Sequence, residues 1–378
     1  MSRRICQLIF LYKFLYLGYH GCMEKRNAYE KEAVARVAAR AREREGAHLA
    51  YIEGLGLNVD EIIGRMLSCP VTLNFHPDRY AAGGLTVIES LVACGAYRGQ
   101  FETGTTNGGR TAWVGGDRYL WEQKLFCGAY PQDIRRRPKY GALNLFCDLD
   151  GACARFGSCF LTLHPAALSR CTFAYGDSSS NPDILCTADT FSGVAAALLR
   201  DVVENGRLLN RENVSLEAAC GVIAASPVPE IGRNLDNSIE VHMHGEVFLG
   251  DDVDALHLDA SFRGTSVERH ARALCAAYGV SLCWIPERRL MTAEIGDDFR
   301  GPMMIPLAER IDRLCGGGGF VNAARIGTAS RLSVDEPEDW RDLGDEPQLF
   351  QFFKQIWHTV AYFGRPSSPG ADEFQVLQ

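Results

Sequence analysis

Glu240, His242 and His244 fall at every second position of Ser238-Ile-Glu-Val-His-Met-His-Gly245. On a strand this spacing puts all three on one face, with Ile239, Val241 and Met243 on the other. An ionisable face on such a strand is either a solvated edge or the floor of a polar cleft. Gly245 at its end lets a ligand or another backbone approach closely, which favours the cleft. A second segment, Pro70-Val-Thr-Leu-Asn-Phe-His-Pro-Asp-Arg79, is a short apolar strand that ends in His76 and Arg79. Pro77 removes an N–H and stops the ladder, so both side chains sit where the strand opens into a loop. Alone, this segment reads slightly better as a capped strand with solvated charges.

Three further features could meet a ligand. The loop Gly104-Thr-Thr-Asn-Gly-Gly109 offers backbone N–H groups and the side chains of Thr105 and Asn107 to phosphates or an amide. It is neither a P-loop nor a dinucleotide fingerprint, and such a loop is often a plain turn. Tyr140 and Phe156 each precede a glycine at a strand start, where a ring can cover a flat ligand or simply fill the core. Ser158 follows Gly157, and its hydroxyl could bond a nearby carboxylate.

The elements that must position these residues follow from periodicity. Glu24 to Glu53 reads as a long helix, and Asn58 to Leu67 as a short one leading into the strand Val71–Phe75. Thr86 to Cys94, closed by Gly95, and Asp117 to Cys127, closed by Gly128, read as helices. The period then changes to two, predicting strands over 139–146, 155–163 and 171–175. Helical blocks at 188–204 and 216–224 precede the Glu240 strand. A strand–helix–strand unit follows: strand 255–258, a helix over 266–278 started by a capping box Thr265-x-x-Glu268, and strand 281–285. Helices over 302–314 and 349–363 complete the pattern.

The chain has 378 residues and 47 % hydrophobic composition, enough for a substantial core. Its formal charge of −8 argues against a general nucleic-acid binder. The 14 cysteines lack paired CxxC spacing, so reduced thiols are expected and no zinc-finger or disulfide framework. Residues 1–22 form an N-terminal extension, either a targeting segment or an over-extended start. Its apolar run, Ile5 to Tyr19, is too short and interrupted for a transmembrane helix. Membrane association is not expected. Residues 23–69 read as N-terminal helices, 70–365 as one catalytic domain, and 366–378 as a disordered tail.

Taken together, several segments resemble one bacterial family. His76 to Arg79, Phe101-Glu-Thr-Gly-Thr, Arg137-Pro-Lys-Tyr-Gly-Ala-Leu-Asn144, Arg155-Phe-Gly-Ser158, Tyr175-Gly-Asp-Ser178 and Ile239 to Gly245 are similar to the CteC-type effectors. Those effectors are ADP-ribosyltransferase-like enzymes that modify ubiquitin on threonine. The resemblance spans about residues 70 to 290. It implies an α+β fold with an ADP-ribosyltransferase-like split, mainly antiparallel sheet and surrounding helices. It also implies NAD as co-substrate, host ubiquitin as partner, and a monomer secreted into the host cell cytoplasm to disturb ubiquitin signalling.

On this reading Glu240 stabilises the charged ribose, Ser158 orients Glu240, and Arg79 pairs with the NAD phosphates. His76 holds the ribose or carboxamide, Tyr140 or Phe156 stacks on nicotinamide, and Gly104, Thr105, Asn107, Asn144 and Gly157 line the dinucleotide. Two departures stand out. Arginine-directed relatives carry an acid or amide two residues before the catalytic Glu, where this chain has Ser238. The serine strand reads Gly-Ser-Cys, not Ser-Thr-Ser. Two rivals stay open: a metal-dependent hydrolase using His242, His244 and His76 with Glu240 as base, and an inactive transferase fold that only binds ubiquitin.

Overall fold

The structure, a computed structural model, describes residues 28–367 other than 82, 105–108, 110, 133–135 and 225–231. The proposed N-terminal extension, Thr105, Asn107 and almost all of the proposed tail lie outside the described residues.

The elements run in the order α1 (Ala28–Gly54), α2 (Val59–Leu67), β1 (Val71–Phe75), α3 (Val87–Cys94), β2 (Ala96–Tyr97), α4 (Gln100–Thr103) and α5 (Asp117–Leu125). Next come β3 (Lys139–Leu143), β4 (Cys159–Leu163), β5 (Cys171–Tyr175), β6 (Leu185–Thr187), α6 (Ser192–Asn205), α7 (Leu216–Ala224) and β7 (Ile239–Met243). β8 (Val247–Phe248), α8 (Leu249–Asp252), β9 (Val253–Asp259), α9 (Ser266–Tyr278), β10 (Ser281–Ile285) and β11 (Arg288–Met291) follow. The chain closes with α10 (Met304–Cys315), β12 (Phe320–Val321), α11 (Ala323–Asp335), α12 (Glu346–Phe363) and β13 (Arg365–Pro366).

Eight strands form one sheet in the order β10-β9-β4-β1-β3-β7-β5-β6. Neighbours are antiparallel except β9 and β10, which the crossover helix α9 makes parallel. The fold is therefore α+β with a large mixed, mainly antiparallel sheet. One face is apolar: Leu73, Phe173, Ile239, Val241 and Met243 pack with Val194, Leu198, Leu199 and Val202 of α6 in the main core. Each such buried aliphatic or aromatic side chain contributes about 1.5–3 kcal/mol. The opposite face carries Thr72, Tyr140, Thr172, Glu240 and His242.

That polar face is opened by a divergence at the centre of the sheet. β1 and β3 pair only at Val71 with Leu143 and Thr72 with Ala142. Beyond this point β1 stays with β4 through Phe75, while β3 stays with β7 back to Lys139. The strands separate like an opened zip, and the V between them is the cleft described below.

Caps and turns fix the ends that matter. Thr86 and Glu89 form a reciprocal capping box on α3, and Gly95 ends it in the left-handed region at φ 65°. Asp345 and Gln348 cap α12 in the same way. α12 lies against the turn before β4, with Trp357 Nε1 donating to Ala154 O at 2.7 Å.

Several expectations need correction. The strand expected from 155 begins at Cys159, because Ala154–Phe156 form a 3₁₀ turn. Glu268 accepts from Gly264 N, one residue before the expected N-cap partner. α11 and β6 were not anticipated.

Candidate functional site

The cleft has a volume of about 270 Å³. Its floor and walls bring together residues far apart in sequence: His76 and Arg79 from the end of β1, Tyr140 from β3, Phe156 from the 3₁₀ turn, and Glu240 from β7. Trp121 and Arg118 of α5 and Phe350 of α12 also line it.

Glu240 is held by its strand neighbour. His242 Nε2 lies 2.7 Å from Glu240 Oε1, as their shared face requires. Behind His242 runs a buried chain of bonds. Its Nδ1 lies 3.0 Å from Thr172 Oγ1, which is 3.0 Å from His244 Nε2, and His244 Nδ1 lies 2.7 Å from the Tyr130 hydroxyl. One arrangement satisfies every link with both imidazoles uncharged. Tyr130 donates to His244, His244 to Thr172, Thr172 to His242, and His242 to Glu240. Burial, then the neighbouring His242, holds His244 well below the usual imidazole range. Burial, followed by Glu30 and Glu122, holds the Tyr130 phenol well above its own. Both shifts favour that arrangement.

These bonds also occupy the ring nitrogens that a metal would need. Among the described residues, no group of three His, Cys, Asp or Glu side chains could hold a metal ion.

Tyr140 is fixed on three sides. Its hydroxyl donates to Glu122 Oε1 at 2.9 Å, Arg118 lies 4.3 Å above its ring, and His242 meets it edge-on at 5.0 Å. Since the guanidinium covers one face, only the other can stack on a ligand. Glu122 is itself buried; desolvation raises its carboxyl, opposed by Arg118 and Arg137.

At the end of β1, His76 meets Trp357 edge-on at 5.1 Å, and Arg79 donates to Phe353 O at 3.2 Å. Burial pulls Arg79 down to about 10. Burial, then Arg79 and His358, pushes His76 well below the usual imidazole range. The proposed serine acts here: Ser158 Oγ lies 3.4 Å from His76 Nδ1 and 3.8 Å from Cys159 Sγ. The residue that orients Glu240 is His242, two positions along its own strand.

A family model described as a protein of unknown function, DUF3626, matches residues 70–363, well over half of the chain. The chain belongs to the DUF3626 family. The matched stretch opens at the residue before β1 and closes on the last residue of α12, so it contains the whole cleft of this DUF3626 protein. No curated protein matches the chain.

Other expected ligand residues serve the frame. Asn144 accepts from Asp148 N and donates to Asp148 O, closing its own turn away from the cleft. Gly157 is needed because a Cβ there would fall 2.0 Å from the Phe75 carbonyl carbon. Gly104 ends α4 at φ 74°. Residues that sequence reasoning missed are Arg118, Trp121 and Glu122 on α5 and the α12 face against β1. Their signal was only an i, i+3, i+4 pattern, which reads first as packing.

Proposed function

We propose that this DUF3626 chain transfers ADP-ribose from NAD to a threonine hydroxyl of ubiquitin and releases nicotinamide. The observation that carries the reading is Glu240 on the cleft floor, fixed by His242 and sharing the cleft with Arg79, His76, Tyr140 and Phe156. Breaking the nicotinamide–ribose bond builds positive charge on the ribose ring, as in glycoside cleavage. A fixed carboxylate beside that carbon stabilises the charge. With Oε1 accepting from His242, Oε2 has no protein partner among the described residues and is free to take a ribose hydroxyl.

The threonine oxygen then bonds to the ribose carbon as nicotinamide leaves with the bonding pair, and the hydroxyl proton passes to Glu240 or to solvent. Tyr140 and Phe156 supply apolar surface for the nicotinamide ring. Arg79 and His76 sit at the other wall. The motif resemblance to ubiquitin-modifying bacterial effectors supports the acceptor and a place of action in the host cytoplasm.

The test is intact-mass spectrometry of ubiquitin after incubation with the protein and NAD, beside Glu240→Gln. A gain of one ADP-ribose unit, lost in the variant, is expected. NAD consumption without that gain would discard the acceptor. An unchanged NAD pool would discard the transferase.

A further inference from the structure

α12 carries Phe350, Lys354, His358 and Tyr362 at four-residue spacing, one row of its surface. Phe350 lines the cleft, and Trp357, on the next row, pins His76 from above. At the far end Phe299 stacks on Tyr362 at 5.1 Å, which brings Arg300 to the same face. From the cleft side the 3₁₀ turn delivers Arg155, tied to the helix through the Trp357 bond to Ala154.

The polar atoms gathered here are buried and unmet. Both ring nitrogens of His358, His76 Nε2, Arg155 Nε and Arg300 Nε are buried with no hydrogen-bond partner. His358 is 2 % exposed and His76 5 %. Leaving a buried donor unpaired is unfavourable, so such a cluster is expected to serve a ligand. The charge is one-sided as well. Lys354 and Arg300 have no carboxylate within ion-pair distance among the described residues, and Arg155 pairs with the exposed Asp236. Asp177 is the acid whose charge reaches Lys354. Burial, then Arg300, Arg155, Lys354 and Arg79, pushes His358 down to about 3.

We propose that Arg155, Arg300, Lys354 and His358, with His76 at the cleft side, form an anion subsite that takes the diphosphate of a dinucleotide. Neutral imidazoles donate one N–H each, while the guanidinium and ammonium groups supply charge-assisted bonds to phosphate oxygens. The subsite rests on the NAD reading for its ligand and not for its existence. Its position sets the direction of the bound molecule: the diphosphate lies along α12, with the ribose to be opened towards β7.

The experiment titrates the full chain with ADP-ribose and, separately, with inorganic pyrophosphate, by calorimetry at low and high salt. Lys354→Ala and Arg300→Ala are each expected to weaken both ligands about tenfold, the loss falling at high salt. Lys354→Arg should restore most of it. Thermal melting of each variant establishes that it folds, and the His358 ring N–H resonance should shift on binding as the neutral imidazole donates to the ligand. Pyrophosphate binding that depends on these cations, with no ADP-ribose binding, would keep the subsite and remove the dinucleotide. ADP-ribose binding indifferent to both variants would overturn the subsite and leave the NAD reading standing. Failure of wild type to bind either ligand would overturn both.

Discussion

Replacing His242 tests whether the cleft works through a positioned carboxylate. His242→Ala removes the 2.7 Å bond to Glu240 and the 3.0 Å bond to Thr172. A hydrogen bond to a charged group is worth about 1.5–3 kcal/mol, which corresponds to roughly 10- to 150-fold in rate if it acts in the transition state. A carboxylate displaced by an ångström costs about a further hundredfold. Because His242 is fully buried, the empty volume also lowers stability by about 2–4 kcal/mol. Activity is therefore compared at a temperature where melting shows the variant folded. The assay is release of nicotinamide from NAD, with kcat and KM separated. The loss should fall on kcat, because the groups at the end of β1 proposed to hold NAD are untouched. His242→Gln, whose amide can still donate to Glu240, should recover part of it. A folded His242→Ala variant with wild-type kcat, or His242→Gln no better than alanine, would refute the positioning argument.

Other outcomes follow from single contacts. Tyr140→Ala should raise KM for NAD several-fold in steady-state kinetics and also lower the melting temperature, since the ring packs against Arg118 and His242 and its hydroxyl bonds Glu122. Gly157→Ala should lower stability by about 3 kcal/mol or more in urea unfolding, since its Cβ would overlap the Phe75 backbone. Asp259 has a carboxyl raised by burial from 3.8 to about 7, so the folded state holds a proton that the unfolded state has lost. Its contribution is present below pH 4 and is lost as pH rises through 7. Asp259→Asn, which keeps the acceptor for Ser261 N, should therefore stabilise the protein at pH 8 by on the order of 3 kcal/mol and hardly at pH 4. Chemical denaturation at the two pH values measures the difference.

Much of the frame was legible in the sequence because its signals are local. Cys171–Tyr175, Ser266–Tyr278 and Ser281–Ile285 match their expected bounds residue for residue, since alternation, caps and glycine stops are written in adjacent positions. The shared face of Glu240, His242 and His244 was legible for the same reason. What that face bonds to was not. Thr172 reaches it through the order of strands and Tyr130 from the loop after α5, and both placements depend on long-range packing. Phe156 was placed on a strand because its apolar neighbours continue the period. The close approach of Gly157 to Phe75 and the turn at Ala154 end the ladder early instead. The role expected of Ser158 passed to His242 because β4 adjoins β1, two strands away from β7. α12 read as an amphipathic closing helix and gave no hint of function, since a buried His or Lys on such a face looks like any packed position.

The bond from Arg79 to Phe353 O spans 274 residues, and His76 waits on Trp357 in the same way. The wall of the cleft at the end of β1 is thus completed only by a helix made after every strand of the large sheet, although β1 is the first of those strands. During synthesis the strands can pair as they emerge, while the cleft stays unfinished until α12 docks. A nascent chain stopped before residue 346 should carry most of the sheet but an unfinished cleft, so the NAD binding proposed above should be missing from stalled chains, which ligand protection would reveal. The cleft is thereby finished, by the order in which the chain is threaded, only after the sheet that forms its floor.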